Sequence, residues 1–151
     1  MAEYKEHKHL GVYGLIIKEN KILLIKKITG PYDDKLDLPG GTIEYQERPE
    51  DTLKRELMEE VGIEIKDYEI YNSDSVTVDW EYNGIPTRTH HIGIFYIIKG
   101  YNNEIKKDIN IDSQNDDSLG ADFYEIKKLS KNKLSEIAIL ELEKLGYNIG
   151  E

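Results

Sequence analysis

The spacing of apolar residues predicts a series of strands, with a tight hairpin near the start of the chain. Residues 10–18 (LGVYGLIIK) and 21–28 (KILLIKKI) are rich in strand-forming residues and flank a two-residue turn. Further strands are predicted over residues 63–71, 75–82, 87–99 and 121–126. Two segments are mainly polar: we expect residues 1–8 to fray, and residues 104–120 to form a short strand followed by a loop.

Apolar residues at helical spacing predict two helices. The first is predicted between Pro49, which is tolerated in a first helical turn, and Gly62, which favours a helix end. Its apolar stripe repeats every four residues and consists of Leu53, Leu57 and Val61. The second helix is predicted over residues 131–145, with Ser130 as its cap. Because Glu141 falls inside the apolar stripe of that helix, we expect it to lie near an edge of a sheet.

The first predicted helix carries a ridge of acidic residues. Glu56, Glu59 and Glu60 occupy positions i, i+3 and i+4, which share one helix face. Three crowded carboxylates repel one another, and a divalent cation would relieve the repulsion; hard oxygen ligands suit Mg²⁺ or Mn²⁺. The glycine loop at residues 39–41 (PGG) can approach an ion closely and add a backbone carbonyl. The plainer interpretation, a solvated glutamate-rich face, stays open at this point.

Opposite charges eight residues apart, on Glu47 and Arg55, indicate an ion pair that would hold the loop against the helix. The wider segment, residues 41–63, reads GTIEYQERPEDTLKRELMEEVGI. It resembles the Nudix (MutT-type) box, GX5EX7REUXEEXGU with U a bulky aliphatic residue, and every fixed position is matched. Two neighbouring positions depart from what the family often carries. Gln46 replaces a glycine, and Arg48 replaces a capping serine, whose loss costs the helix about 1 kcal/mol.

The mixture of strands and helices, taken alone, indicates an α+β or mixed α/β fold with two helices over a sheet. The resemblance implies a Nudix fold, an α/β/α sandwich around a mixed β-sheet, formed by a single domain over residues 1–151. It also implies divalent-metal-dependent hydrolysis of the pyrophosphate linkage in a nucleoside diphosphate joined to a moiety X. The implied partner is therefore a small nucleotide, and a homodimer is possible because family members are often dimers.

The resemblance further implies roles for residues of the box. The implied ligands of Mg²⁺ or Mn²⁺ are the carboxylates of Glu56, Glu59 and Glu60 and the carbonyl of Gly40. Glu47 and Arg55 would orient the loop and the helix, and we include them with the catalytic residues. The general base stays open between Glu56 and Glu59.

Weaker candidates lie outside the box. Asp116 or Asp117 would add a metal ligand from a distal loop, although an ordinary solvated loop is the simpler interpretation. His90 and His91 adjoin on a predicted strand, so their side chains should point to opposite faces. For each histidine a structural or surface role competes with substrate contact. Base stacking competes with core or dimer packing for two alternating aromatic residues, Trp80 and Tyr82.

Composition narrows the function classes. The chain has 151 residues, a net charge of −10 and no cysteine, so disulfides and thiolate metal sites are excluded. Its negative charge disfavours nucleic acids and anionic membranes as partners. Without a secretory apolar region or a membrane-length apolar run, we expect a cytoplasmic protein. A non-catalytic nucleotide-sensing or protein-binding module is the alternative function, and the intact set of box residues favours the enzyme.

Overall fold

The computed structural model describes residues 3–105 and 118–151 of the protein. Over these residues the strands are β1 (Lys5–Leu15), β2 (Ile17–Lys18), β3 (Lys21–Lys27), β4 (Leu36–Asp37), β5 (Gly40–Thr42), β6 (Glu64–Tyr82), β7 (Ile85–Asn102) and β8 (Ser118–Glu125). The α helices are α1 (Pro49–Val61) and α2 (Glu136–Lys144), and a 3₁₀ turn follows β8 at Ile126–Lys128. No helix in the two described stretches is long and apolar enough to cross a membrane.

The strands of the described residues form two four-stranded sheets. The first has the order β5-β1-β7-β6, in which β1 runs parallel to β7 and the other pairs are antiparallel. In the second, β3 is central and all pairs are antiparallel, with β2 and β4 along one edge of β3 and β8 along the other. The first sheet is therefore mixed, as predicted.

Alternating side chains divide the apolar residues between two faces, each covered by one helix. On β3, Ile22 and Leu24 join the core formed with α2, whereas Leu23 and Ile25 join the core formed with α1. The predicted apolar stripe of α1 is fully buried in the second of these cores: Leu53, Leu57 and Val61. Burial of each such side chain contributes about 1.5–3 kcal/mol, so this face holds α1 on the sheet. The layers confirm the predicted α/β/α sandwich.

β6 and β7 form a long hairpin that the sequence predicts only in parts. Its turn has φ angles of 50° at Asn83 and 79° at Gly84, the positive values that a tight hairpin requires. However, β6 is continuous from Glu64 to Tyr82, whereas the sequence predicts two separate strands over that range. A register shift after Ile70 lets the strand bend without ending, so the polar residues in its middle do not interrupt it.

The start of β1 also differs from the prediction. Residues 1–8 were expected to fray, yet Lys5 to Lys8 pair in parallel with Thr87 to His90 of β7. The polar composition of this segment is typical of a free chain end, but β7 is long enough to pair with it. Because that partner lies about eighty residues away, nothing in the local sequence marks the pairing.

α2 begins later than predicted, so the expected start at residue 131 is wrong. Its cap is Ser135, whose hydroxyl accepts a hydrogen bond from the N–H of Ala138 at 3.2 Å, and not Ser130. The residues before the helix pair with β4 instead. Leu36 N–H donates to Lys133 O at 2.8 Å, and Ser135 N–H donates to Leu36 O at 2.9 Å. These non-local hydrogen bonds keep the backbone before Ser135 out of the helix.

Glu141, on α2, lies near a sheet edge as predicted, because its partner Asn72 belongs to the edge strand β6, and its side chain is fully buried there. Burial, reinforced by the neighbouring Asp74 carboxylate, raises the pKa of Glu141 to about 7. The Asn72 amide opposes this rise by donating to Glu141 Oε1 at 3.1 Å. Glu141 Oε2 has no hydrogen-bond partner among the described residues. The protonated carboxyl is therefore the form that this site favours.

Glu141→Gln is expected to stabilise the protein near pH 8 by about 1–2 kcal/mol, because an amide carries no charge to desolvate and can donate to Asp74. The pKa of Glu141 is about 7 in the folded protein against 4.5 ordinarily, so stability is lost as pH rises through this window. The glutamine variant does not share that loss. Urea unfolding near pH 4 and near pH 8 measures the difference.

The control for this measurement is Glu143→Gln, at an exposed position of the same helix. We expect the control to change the free energy of unfolding little at either pH. A gain from Glu141→Gln that is equal near pH 4 and near pH 8 would contradict the assignment of a buried, protonated carboxyl.

Candidate active site

α1 begins and ends as its sequence predicts, although its N-terminal cap is unusual. Gly62 has a φ of 79°, and its N–H donates to Leu57 O and Met58 O, both at 3.0 Å. At the other end, Arg48 occupies the cap position without a side-chain cap hydrogen bond. The Asp51 carboxylate accepts a hydrogen bond from the N–H of Arg48 at 3.1 Å. This contact provides half of a capping box and reduces the cost of the missing serine.

The glycine segment before the helix forms β5, a three-residue edge strand paired with β1. Gly40 has a φ of 145°, and a Cβ there would lie 2.1 Å from the carbonyl oxygen of Val12, so a larger residue does not fit. A Cβ on Gly41 would lie 2.5 Å from the carboxyl carbon of Glu56. The absence of side chains therefore lets the backbone of β5 lie directly against both β1 and α1.

The polar groups of Gly40 face away from β1. Gly14 N–H donates to Pro39 O at 2.9 Å, so the next pair along the ladder, Tyr13 with Gly40, is one that exchanges no hydrogen bonds. Gly40 N–H donates instead to Glu60 Oε1 on α1, at 2.8 Å. By the same pattern, the carbonyl of Gly40 accepts no hydrogen bond from β1. It therefore lies on the outer edge of the sheet, on the side of the acidic ridge.

The ion pair expected between Glu47 and Arg55 is present, with two parallel hydrogen bonds. Arg55 Nε donates to Glu47 Oε2 at 2.8 Å, and Arg55 Nη2 donates to Glu47 Oε1 at 2.9 Å. The Thr52 hydroxyl and the N–H of Glu44 also donate to Oε1, each at 2.9 Å. These donors, the Arg55 guanidinium first among them, lower the pKa of Glu47 to about 2.

Arg55 also contacts the loop and the ridge. Its Nη1 donates to Glu56 Oε1 at 2.8 Å and to Glu59 Oε2 at 3.4 Å. Its Nη2 donates to the carbonyl oxygen of Thr42 in β5, at 3.1 Å. The pKa of Arg55 is raised, chiefly by its hydrogen bonds to Glu47. A single guanidinium therefore links the segment before the helix, the edge strand and the helix itself.

The three glutamates of the acidic ridge do not point at one position. Glu56 lies beside Arg55 with 16% of its side chain exposed, Glu59 is 56% exposed, and Glu60 turns to Gly40 N–H. Within residues 3–105 and 118–151, no three carboxylate or imidazole side chains are arranged to hold a metal ion. The donor set nevertheless fits Mg²⁺ or Mn²⁺ by its chemistry, since carboxylates and a carbonyl provide only hard oxygen ligands.

The family model described as the NUDIX domain matches residues 7–141 of this protein. The chain belongs to the Nudix family. An ADP-ribose pyrophosphatase from Methanocaldococcus jannaschii is 32% identical over 125 residues, which make up 83% of this chain and 66% of that protein. An 8-oxo-dGTP diphosphatase from Buchnera aphidicola is 46% identical over 55 residues, which make up 36% of this chain and 42% of that protein. The chain thus spans less than two thirds of either relative.

A solved structure supports the Nudix fold. The crystal structure of a MutT NUDIX hydrolase from Burkholderia pseudomallei superimposes with a TM-score of 0.69 over 92% of this chain and 98% of that chain. The two sequences are 23% identical over the match, so the likeness concerns the fold. Together with the helix–sheet–helix layers, it confirms the predicted Nudix fold.

The adjacent histidines His90 and His91 point to opposite faces of β7, as predicted. His91 is buried, and its ring nitrogens make hydrogen bonds with the hydroxyls of Tyr13 and Tyr32. His90 is exposed. These surroundings favour the structural role that competed with substrate contact for His91. Tyr32 itself is buried in the core formed with α2.

The alternating aromatic residues of β6 also contact the sheet and each other. Trp80 Nε1 donates to Thr89 Oγ1 at 2.8 Å, and the rings of Trp80 and Tyr82 meet edge to face with centroids 5.8 Å apart. These contacts fix the indole against β7. Asp116 and Asp117 lie outside the described residues, so their role as metal ligands stays a prediction.

Sequence reasoning missed two contributors to the contacts around Arg55. Thr52 lies on α1 three residues before Arg55 and therefore shares its face, and its hydroxyl reaches Glu47. That spacing was a usable signal. Thr42 contributes only its backbone carbonyl to Arg55, and no pattern of side chains marks such a contact.

Glu47→Gln is expected to lower the Tm near neutral pH, because an amide cannot replace two charge-assisted hydrogen bonds to Arg55. The pKa of Glu47 is about 2 in the folded protein against 4.5 ordinarily. Its contribution is therefore complete above pH 4.5 and is lost as pH falls towards 2. Thermal unfolding followed by circular dichroism should show the Tm difference from the unmodified protein shrinking across this window.

Glu44→Gln provides the matched control for this ion pair. The Glu44 carboxylate stands 3.7 Å from Arg55 Nη1 and is 65% exposed, so we expect a much smaller Tm change. If the Glu47→Gln difference persisted undiminished down to pH 2, the carboxylate would not be the source of the stabilisation.

Proposed function

We propose that this Nudix domain is a divalent-metal-dependent hydrolase that cleaves the pyrophosphate linkage of a nucleoside diphosphate joined to a moiety X. The products would be a nucleoside monophosphate and a phosphorylated X. The observation that carries the proposal is the arrangement of α1 against β5. There Arg55 joins Glu47, the Thr42 carbonyl and two ridge glutamates, and the third ridge glutamate, Glu60, accepts a hydrogen bond from Gly40 N–H.

The residues that would hold the metal are Glu56, Glu59 and Glu60, with the carbonyl of Gly40. Mg²⁺ or Mn²⁺, when bound, would neutralise charge on the phosphates and make the attacking water more acidic. Nudix hydrolases generally use divalent metal ions, and the all-oxygen donor set supports the same choice here. Glu47 and Arg55 act as positioning residues, because they hold the helix and β5 at a set distance.

Hydrolysis requires water to attack a phosphorus atom while the bond from that phosphorus to the bridging oxygen breaks. The water proton passes to a carboxylate, and the leaving phosphate departs with the bridging oxygen. Glu56 and Glu59 are the candidates for the base. Glu59 is more open to solvent, with 56% of its side chain exposed, whereas Glu56 is held at 2.8 Å by Arg55.

ADP-ribose is the first substrate to test, because the relative that covers most of this chain is named an ADP-ribose pyrophosphatase. 8-oxo-dGTP is the second, from the name of the Buchnera relative. The net charge of −10 supports small nucleotides over nucleic acids, since a nucleic-acid backbone would be repelled. The lack of cysteine agrees with the proposed cytoplasmic setting.

The test is turnover of ADP-ribose, 8-oxo-dGTP and dGTP with Mg²⁺ or Mn²⁺, followed by release of the nucleoside monophosphate. Glu59→Gln and Glu60→Gln are each expected to lower kcat/KM by about a hundredfold, since each removes a carboxylate from the ridge. Chelation of the metal with EDTA should abolish turnover of the unmodified protein, and added Mg²⁺ should restore it.

Glu50→Gln is the matched control, because Glu50 lies on the first turn of the same helix and contacts Tyr68, away from the ridge. We expect it to retain the turnover of the unmodified protein. Equal and negligible turnover by the unmodified protein and both ridge variants, across all three nucleotides, would favour the nucleotide-sensing alternative over the enzyme.

A further inference from the structure

His91 is the centre of a buried polar network behind β5. Its side chain lies on β7 with only 1% of the residue exposed. Its Nε2 makes a hydrogen bond with the hydroxyl of Tyr13 at 2.6 Å, and its Nδ1 makes one with the hydroxyl of Tyr32 at 2.7 Å. The network therefore joins β7, β1 and the loop between β3 and β4.

All three groups of this network are neutral. Burial, with smaller contributions from His9 and Lys27, lowers the pKa of His91 to about 3. Burial, with a nearby Asp37 carboxylate, raises the pKa of both tyrosines, so neither hydroxyl ionises. A neutral imidazole has one donor and one acceptor nitrogen, so His91 donates to one hydroxyl and accepts from the other. Both ring nitrogens are satisfied without a buried charge.

One branch of the network supports Gly40. Tyr13 is the ladder partner of Gly40, and a Cβ on Gly40 would lie 2.7 Å from Cα and from Cδ1 of Tyr13. The Tyr13 ring turns back over Gly11, where a Cβ would lie 2.3 Å from the hydroxyl oxygen. The hydrogen bond to His91 therefore holds the ring on which Gly40 rests.

A second branch supports the other end of β5. The rings of His9 and His91 stack, with centroids 4.6 Å apart and an angle of 11° between their planes. His9 Nε2 makes a hydrogen bond with Thr42 Oγ1 at 2.7 Å. The carbonyl of the same threonine accepts from Arg55. His91 therefore lies against residues that contact both ends of β5.

β5 has few side chains of its own to support its position beyond its backbone pairing with β1. It has three residues, two of them glycines, and lies at the edge of its sheet. Short edge strands with glycine pack weakly and lose more entropy on ordering than other strands. The two polar contacts from α1, from Glu60 to Gly40 and from Arg55 to Thr42, come from side chains that would themselves respond to a bound metal.

We propose that His91 is a positioning residue for metal binding: by holding Tyr13 behind Gly40, it keeps the Gly40 carbonyl facing the acidic ridge. This inference rests on the proposed function, since it concerns the same metal. It predicts that a side chain at residue 91 supports metal binding only if it is long enough to reach the hydroxyl of Tyr13. Glutamine can place an amide near the position of Nε2 and retain the bond to Tyr13, whereas asparagine reaches only the position of Nδ1.

The experiment is Mn²⁺ titration followed by electron paramagnetic resonance, without substrate and well below the lowest Tm of the proteins. His91→Asn is expected to weaken Mn²⁺ binding about tenfold, the effect of losing a group that orients a metal ligand, and His91→Gln to weaken it much less. Tyr13→Phe keeps the ring and removes the hydroxyl, so it should match His91→Asn. The Mg²⁺ concentration for half-maximal turnover should rise in the same order, with KM at saturating Mg²⁺ unchanged.

His90→Asn and His90→Gln are the matched controls, because His90 is adjacent in sequence but exposed on the other face of β7. Both should bind Mn²⁺ as the unmodified protein does. Equal affinity of His91→Asn and the unmodified protein, or equal weakening by the glutamine and asparagine variants, would overturn the inference. Absence of Mn²⁺ binding by the unmodified protein would instead overturn the proposed function, and the inference with it.

Discussion

The guanidinium of Arg55 is the interaction on which the candidate site depends. Carboxylates from the loop and from the helix, including those of Glu47 and Glu56, lie within 4 Å of it. Without one positive charge between them, they would repel each other and separate α1 from β5. Lysine could not replace it, since a single ammonium cannot bond both oxygens of Glu47 and also reach the carbonyl of Thr42. The planar guanidinium therefore fixes both the distance and the angle between α1 and β5.

The parts of the site that the sequence predicts are those whose partners lie close along the chain. The limits of α1 follow from Pro49 and Gly62, and its buried face follows from a repeat of four residues. The ion pair of Glu47 with Arg55 spans eight residues, a separation that brings a residue before the helix next to the second turn. Each of these features is determined by local backbone geometry, which can be read from the spacing of residues along the sequence.

The parts that could not be predicted depend on partners far along the chain. The first residues of β1 pair with β7, and the backbone before α2 pairs with Leu36 in place of extending the helix. The partner of the buried Glu141 is Asn72, 69 residues earlier in the chain, and no local pattern marks that hydrogen bond. For His91 the sequence leaves a structural or surface role in competition with substrate contact, and only the distant Tyr13 and Tyr32, placed around it, decide for the structural role. In each case a long-range contact overrides the local preference.

The acidic ridge is placed where helix electrostatics oppose it. Glu59 and Glu60 lie in the last turn of α1, where the backbone carbonyls make the helix end negative, and that turn contains no basic residue. The first turn, with Glu50 and Asp51, follows the favourable arrangement, so the conflict is confined to the ridge. Such local conflicts are expected at functional sites. A cation bound there would relieve the repulsion, so binding at the ridge would also stabilise the helix that carries it.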